Sequence, residues 1–283
     1  MPLTTMKNLK FRLQKPHVFH VVLILLVISV GIGFFYIFLR KPTYLSVEIK
    51  VGSEAVYYEG GTTKAWLSQF IHEGMTEKDG LGKTIADVVK IRSYDTANTK
   101  AMYATTRILA VYNRNSNQYT FRGKPLLVGS TIRLYLDRVL VDGLITYIEG
   151  VPDPRIKKRL VVEAQLINET NVFPEVSGVK QHIADAITEG QEVKDSQNNT
   201  IIKVIKKREE DAKKIVTTSD GRTFVQTYPL RKDVYLTLEV QALLIGDRYY
   251  VLDDIPLIIG WGIPINTKTF VASPEITSIK PLD

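Results

Sequence analysis

From Val18 to Leu39 the chain runs 22 residues without a charge. At about 1.5 Å per residue, a helix of that length covers about 30 Å, the hydrocarbon thickness of a bilayer. Val21 to Ile28 are apolar without a break, so such a helix is apolar on every face, which suits a membrane span and not an amphipathic core helix. The pattern predicts a transmembrane segment over residues 18–39 behind a cytoplasmic tail of residues 1–17. The run is longer than the apolar core of a cleaved signal peptide, and it ends on Phe38-Leu39-Arg40-Lys41-Pro42 where cleavage needs small residues. It therefore reads as an uncleaved signal anchor, in contact with the lipid bilayer.

Beyond the anchor the pattern changes to short apolar and β-branched stretches with partial alternation. Tyr44–Val51, Thr84–Ile91, Tyr103–Tyr112, Thr131–Leu136 and Leu140–Ile148 predict strands, separated by Gly, Asn and Asp clusters. Residues Leu67, Phe70 and Ile71 fall at helical spacing ahead of Gly74, and Ile183, Ala186 and Ile187 do the same ahead of Gly190. Each set predicts a short helix with glycine at its C′ position.

That coincidence belongs to a longer internal repeat. Thr63–Gly74 (TKAWLSQFIHEG) matches Val179–Gly190 (VKQHIADAITEG) 116 positions later, and the register continues through Lys90, Arg92 and Asp95 against Lys206, Arg208 and Asp211. After an insertion of about fifteen residues in the second copy, Pro125–Gly129 faces Pro256–Gly260 at a spacing of 131, followed by Thr146 with Thr277. The expected fold is mainly β (α+β), with two tandem homologous modules at 43–149 and 160–283, each with one short helix and of a length compatible with a small barrel. Gly150–Arg159, with Pro152 and Pro154, reads as a stiff exposed linker.

Charge changes the picture in one respect. The formal charge of +7 suggests nucleic-acid binding, but residues 1–41 hold six basic side chains and no acid. All but one unit of the charge thus flanks the span, and a basic nucleic-acid surface is not expected. The basic side chains ahead of the span favour a cytoplasmic N-terminus and an extracytoplasmic C-terminal domain in the cell membrane. Ser29 and Gly33 form a small-xxx-small pair, as is common in such helices. The chain has no cysteine, which excludes disulfides and thiolate chemistry.

Candidate chemistry is sparse. Gly80-Leu81-Gly82-Lys83-Thr84 resembles the end of a phosphate loop, but the first glycine of that motif would fall on Glu77, so a plain turn is expected. His17, His20, His72 and His182 show no ligand spacing, so no metal and no cofactor is expected. Asp253-Asp254 and Glu209-Glu210-Asp211 read as solvated charge, and Lys203–Lys214 as a solvated loop or strand end. No catalytic set emerges. Asn168-Glu169-Thr170 and Asn198-Asn199-Thr200 are glycosylation sequons in form. Among the large side chains, Tyr57-Tyr58 lie near an expected turn, and Trp66 is expected in the core beside Leu67 and Phe70. Trp261, between Gly260 and Gly262, is the candidate partner contact.

The span, the segment Ile187–Gly190 with Asp195 and Ile201–Ile205, and the block Asp233–Glu239 followed by Pro256–Gly260 and Glu275–Ile279 resemble an uncharacterised bacterial membrane-anchored domain-of-unknown-function family (family 4330), here with the domain duplicated. The resemblance implies an anchored β-rich domain and no catalytic residues. The function expected is that of a non-enzymatic binding or assembly module of the cell envelope, with an unidentified protein partner or self-association. The alternatives are a subunit of an export or adaptor complex, or a membrane-anchored hydrolase.

Overall fold

The computed structural model describes residues 15–38, 42–52, 63–95, 99–166, 177–267 and 270–282. The expectations for residues 1–14, for Tyr57-Tyr58 and for Asn168-Glu169-Thr170 lie outside the described residues. The chain divides into two compact units, residues 1–44 with 109–125, and residues 45–108 with 126–283.

The smaller unit contains helix α1 (Lys15–Phe38). Its side chains are described from Phe19 to Gly33, and among the described residues no helix is long and apolar enough to cross a membrane. Leu23, Ile24, Leu25, Leu26 and Val27 are each at least half exposed, so no face of this stretch is covered.

The chain is mainly β. In order, the first half gives β1 (Pro42–Val51), β2 (Thr63–Lys64), α2 (Ala65–Ser68), β3 (Thr76–Lys78), β4 (Thr84–Asp95), β5 (Thr99–Asn113), β6 (Gln118–Phe121), β7 (Lys124–Pro125), β8 (Thr131–Leu136) and β9 (Val139–Ile148). The second half gives β10 (Ile156–Leu166), β11 (Val179–Lys180), α3 (Gln181–Ala186), β12 (Glu192–Lys194), β13 (Thr200–Thr217), β14 (Thr223–Ile245), β15 (Arg248–Val251), β16 (Ile255–Pro256), β17 (Ile265–Asn266), β18 (Val271–Ala272) and β19 (Glu275–Pro281).

The first sheet runs β3-β4-β5-β1-β9-β8 and the second β12-β13-β14-β10-β19. The shared part has the same strand order, and three β-bulges recur at matching places: Glu48/Ile49 with Glu163/Ala164, Glu77/Lys78 with Val193/Lys194, and Val88/Lys90 with Val204/Lys206. A bulge fixes register and bends its strand, so three in common mean that the two sheets curve at the same points. In the first sheet the outer strands also meet: the Asp137 N–H donates to Thr76 O at 2.9 Å, and the Tyr135 N–H to the buried Glu77 carboxylate at 3.2 Å. In the second sheet the β8–β9 ladder is reduced to the single bridge Gly262↔Glu275, which matches Thr131↔Leu144, and the chain beyond it forms the small β17–β18 ladder.

Alternation along the strands builds the cores. Ile132, Leu134 and Leu136 of β8 point inward while Thr131, Arg133 and Tyr135 point out. Leu160, Val162, Ala164 and Leu166 of β10 lie inward against Leu236, Leu238 and Val240 of β14. Gly143 of β9 crosses β1 so closely that a Cβ would stand 2.3 Å from Ile49 Cγ2 and 2.8 Å from Lys50 O.

Three local expectations are corrected. Gly74 and Gly190 have positive φ but do not end the helices, which stop at Ser68 and Ala186. Each instead turns the chain toward the sheet, its N–H donating at 2.8 Å to the matched Val88 O or Val204 O. The linker is shorter than Gly150–Arg159, because Ile156–Arg159 pair with Leu244–Gln241 as the start of β10. Lys203–Lys214 is neither loop nor strand end but the middle of the long strand β13, its mixed charges paired along it as Lys207 with Glu209 and Arg208 with Glu210.

The β13–β14 hairpin outgrows its β4–β5 counterpart, and this is where the insertion goes. From Ala212↔Tyr228 to Thr217↔Thr223 the two strands pair as a ribbon, and among the described residues no third strand lies beside it. Ile215, Phe224, Val225 and Leu230 are all more than half exposed there.

Candidate functional site: the module junction

The tip of the β4–β5 hairpin belongs to the core of the second module: Tyr94, Ala101 and Tyr103 are buried in one apolar cluster with Leu160, Leu238 and Ile263. Backbone and amide groups stitch the same contact. The Ser93 N–H donates to Ser196 Oγ and the Ser196 N–H to Ser93 O, both at 2.9 Å. Gln197 Nε2 donates to Ile91 O at 2.9 Å, and Asn266 Nδ2 to Asp95 O at 3.1 Å.

At the centre lies a polar cluster that the sequence reading missed. Arg92 on β4 reaches Asp253 Oδ2 at 2.6 Å and Glu48 Oε2 on β1 at 3.3 Å. Its guanidinium also lies over the rings of Tyr103 and Tyr94, 4.8 and 5.4 Å from their centroids. Tyr94 donates its hydroxyl to Asp253 at 3.0 Å, and Tyr103 donates to Asp254 Oδ2 at 2.9 Å. Lys50 completes the set by pairing with Asp254. Arg155, at the end of the shortened linker, bridges Asp153 at 2.8 Å and Glu48 at 3.4 Å.

The expectation that Asp253-Asp254 is solvated loop charge fails for Asp253, whose side chain is only 11% exposed, and holds for Asp254, which stays exposed on its turn while it pairs with Lys50. The turn between β15 and β16 carries both acids into the junction, with Leu252 and Asp253 at φ of 51° and 68°. A β-turn of left-handed residues suits a tight hairpin, though a leucine there is strained, and burial of Leu252 in the core holds it. Burial lifts the Asp253 carboxyl above its ordinary range, against the pull of Arg92 and the hydrogen bonds from Arg92 and Tyr94. Burial opposes the Arg92 charge too, but Asp253, Tyr94 and Glu48 outweigh it and hold the guanidinium protonated. Burial and Asp253 raise both tyrosines.

Beside this cluster a cleft of about 1010 Å³ opens between the modules, lined by Glu48, Arg92, Tyr94 and Asp253 and rimmed by Lys90, Lys157 and Lys158. Those three lysines are exposed.

The signal for the junction was present as a difference between the two copies. Arg92 and Arg208 match, and so do Tyr103 and Tyr235, with Arg208 over the Tyr235 ring at 4.3 Å. The partners do not match: the three-residue turn Leu252-Asp253-Asp254 stands where the first copy has the two-residue turn Arg122-Gly123, and Tyr94 stands where the second has Glu210. Acids on one copy that answer a cation on the other mark the copies as facing each other.

The other expected residues are dispersed. Gly80–Thr84 is a plain turn, with Asp79 Oδ1 accepting from the Leu81 and Lys83 N–H groups at 2.9 Å, and a strand follows. Asp195 caps the matched turn in the same way, accepting from Gln197 and Asn199. Asn198 of the second sequon lies on that turn at φ 67°. Trp66 is not in the core. Because α2 stops at Ser68 after a single turn, the helical spacing is not kept; Trp66 and Phe70 stay 64% and 58% exposed, meeting edge to face. Among the described residues no group of His, Asp or Glu is arranged to hold a metal ion.

Trp261 is 58% exposed, beside the equally exposed Ile259. Its backbone is pinned on both sides: its N–H donates to Ile258 O at 3.0 Å and its carbonyl accepts from Ile276 at 2.8 Å. Gly262 packs so tightly on Ser273 that a Cβ would meet Ser273 Oγ at 2.1 Å.

These features define a paired β-module protein whose halves are fastened by a half-buried ion-pair cluster. No family model, curated protein or solved structure matches the chain.

Proposed function

We propose that this is a single-pass membrane-anchored protein with its C-terminal modules extracytoplasmic, acting as a non-enzymatic binding or assembly module of the cell envelope. Membership of domain-of-unknown-function family 4330 and descent of both modules from one duplicated ancestor are part of the same reading. The apolar stretch of α1 supports the anchor, since Val21 to Ile28 stand exposed on every face and such a surface is stable in lipid, not in water.

The observation that carries the binding role is Trp261: a large exposed indole on an immobilised backbone is an anchor whose ordering cost on binding is already met. The fastened junction supports it, because two modules at a fixed spacing offer a partner two simultaneous contacts. In the junction the titratable groups are spent on one another, which favours a structural role over hydrolysis.

The test is cross-linking in native membranes from a photoreactive side chain at position 261, followed by mass spectrometry. A discrete adduct is expected, and an unmodified chain at every illumination time would reject the contact. Protease added to intact spheroplasts should digest the modules; their protection until the membrane is permeabilised would reject the orientation.

A further inference from the structure

Among the described residues the outer part of the β13–β14 ribbon has no strand on either edge beyond the Ser177 contact at Lys213, and Ile215, Phe224 and Val225 stand more than half exposed, an arrangement that a two-stranded hairpin in water does not sustain alone. Hydrogen bonding at its tip tells which backbone groups point outward. The Thr218 N–H donates across to Arg222 O at 2.8 Å, so the pairs Val216↔Phe224 and Lys214↔Gln226 bond across the hairpin, and the intervening pairs Thr217↔Thr223, Ile215↔Val225 and Lys213↔Thr227 turn their N–H and C=O groups to the edges. Ser177 confirms the phase by bonding to both the N–H and the carbonyl of Lys213 from outside. On the β13 edge that contact leaves Ile215 and Thr217. On the β14 edge Thr223, Val225 and Thr227 form a row of three, ended by Pro229, which has no N–H to offer.

We infer that the β14 edge of the arm pairs with the same edge of a second copy of this chain, antiparallel about a two-fold axis at Val225. In that register Val225 faces Val225 of the other copy, Thr223 faces Thr227, Phe224 faces Gln226 and Arg222 faces Tyr228. No like charges meet, although the arm is rich in Lys and Arg. Every outward group of the three-residue row finds a partner. One face gains an unbroken apolar row across four strands, Ile215 and Val225 of one copy followed by Val225 and Ile215 of the other, and cross-strand rows of this kind are what stabilise a sheet. The contact is isologous and so closes at two. A lipid surface fits less well, because the open edges would enter hydrocarbon with their backbone groups unpaired.

The inference deepens the assembly reading above and rests on it for the shared membrane that brings two copies together. The chain has no cysteine, so a single introduced thiol reports one position. The full-length Val225→Cys chain, oxidised with copper phenanthroline in its own membranes and after detergent extraction, should run as a covalent dimer. Thr217→Cys, on the far strand of the arm, should stay monomeric, and Val225→Pro should abolish a dimer seen by light scattering while leaving the β-sheet circular dichroism unchanged. A monomeric Val225→Cys chain, equal cross-linking at Thr217, or a dimer that survives Val225→Pro would each overturn the pairing. Carbonate extraction of the same membranes reads the anchor separately: a chain that stays in the pellet but does not cross-link loses the pairing alone, whereas a chain released into the supernatant loses the anchor.

Discussion

Replacing Arg92 by methionine tests whether the junction is held by charge. The substitution keeps an unbranched apolar stem against Tyr103 but removes the cation from Asp253, whose side chain is 11% exposed, leaving it only the Tyr94 hydroxyl. Stripping one partner from a buried pair costs about 3–5 kcal/mol, because the remaining charge is neither hydrated nor matched. Tyr94 and protonation of the acid offset part of this, so the expected loss is about 3 kcal/mol at pH 8. For a chain of this size that is about 6–12 °C in melting temperature. The pH dependence has a definite sign. The folded-state pKa of Asp253 is already raised by burial and rises further without Arg92. A raised carboxylate favours the protonated folded state, so its contribution is complete below the unfolded value of about 3.9 and is lost as pH climbs through the folded pKa. The Arg92→Met deficit should therefore shrink from pH 8 to pH 5. Arg92→Met with Asp253→Asn should recover part of the loss, giving a coupling of about 1–3 kcal/mol. The assay is thermal and urea unfolding of the detergent-solubilised full chain at the two pH values. A deficit below about 1 kcal/mol, the same at both, or strictly additive single effects, would show that apolar packing of Tyr94 and Tyr103 holds the modules and that the ion pairs are incidental.

Three further outcomes are expected. Lys207→Met should destabilise the chain by about 1–3 kcal/mol in urea unfolding, because Lys207 Nζ donates at 2.6 Å to both Ala184 O and Ile187 O at the end of α3, and its loss removes a charged donor from both and leaves Ala184 O only the Ile187 N–H. Gly143→Ala should cost about 1–3 kcal/mol by thermal melting, since its Cβ meets Ile49 and Lys50 at the β1–β9 crossing; an unchanged melting point would mean that β1 shifts freely. Trp261→Ala should leave stability within about 0.5 kcal/mol, as an exposed side chain does, while abolishing adducts to the neighbouring Ile259 position; retention of those adducts would remove the indole from the contact.

The sequence pattern located most strands to within a few residues because β-branched runs alternate cleanly where one face is buried, as in Thr131–Leu136, which is β8 as observed. It also carried the repeat, whose matched residues are the bulges, turn acids and glycines that shape the sheet. It failed where tertiary contacts reverse a local preference. Asp253-Asp254 have the composition of a surface turn, and only the hairpin tip of the other module, distant in sequence, covers Asp253 as the partner of Arg92 and brings the Tyr103 hydroxyl to the still exposed Asp254. Trp66 failed for the opposite reason: a helical spacing written over five residues, Leu67 to Ile71, was realised as the single turn Ala65–Ser68. The length of the β13–β14 arm was visible only as an insertion, since nothing in Lys203–Lys214 distinguishes a charged loop from a charged strand.

The mismatch between the acidic turn Leu252–Asp254 and its basic counterpart Arg122-Gly123 sets a limit on growth. A unit that docks its hairpin onto the next unit could in principle be strung into an array of any length, each copy receiving one neighbour and reaching for another. Here the reaching end of the second copy carries Arg208 and Glu210, and the receiving turn on the first copy carries Arg122. Cation would meet cation, so an end-to-end filament is disfavoured at its first added subunit. The two halves are thus a donor and an acceptor that fit each other once.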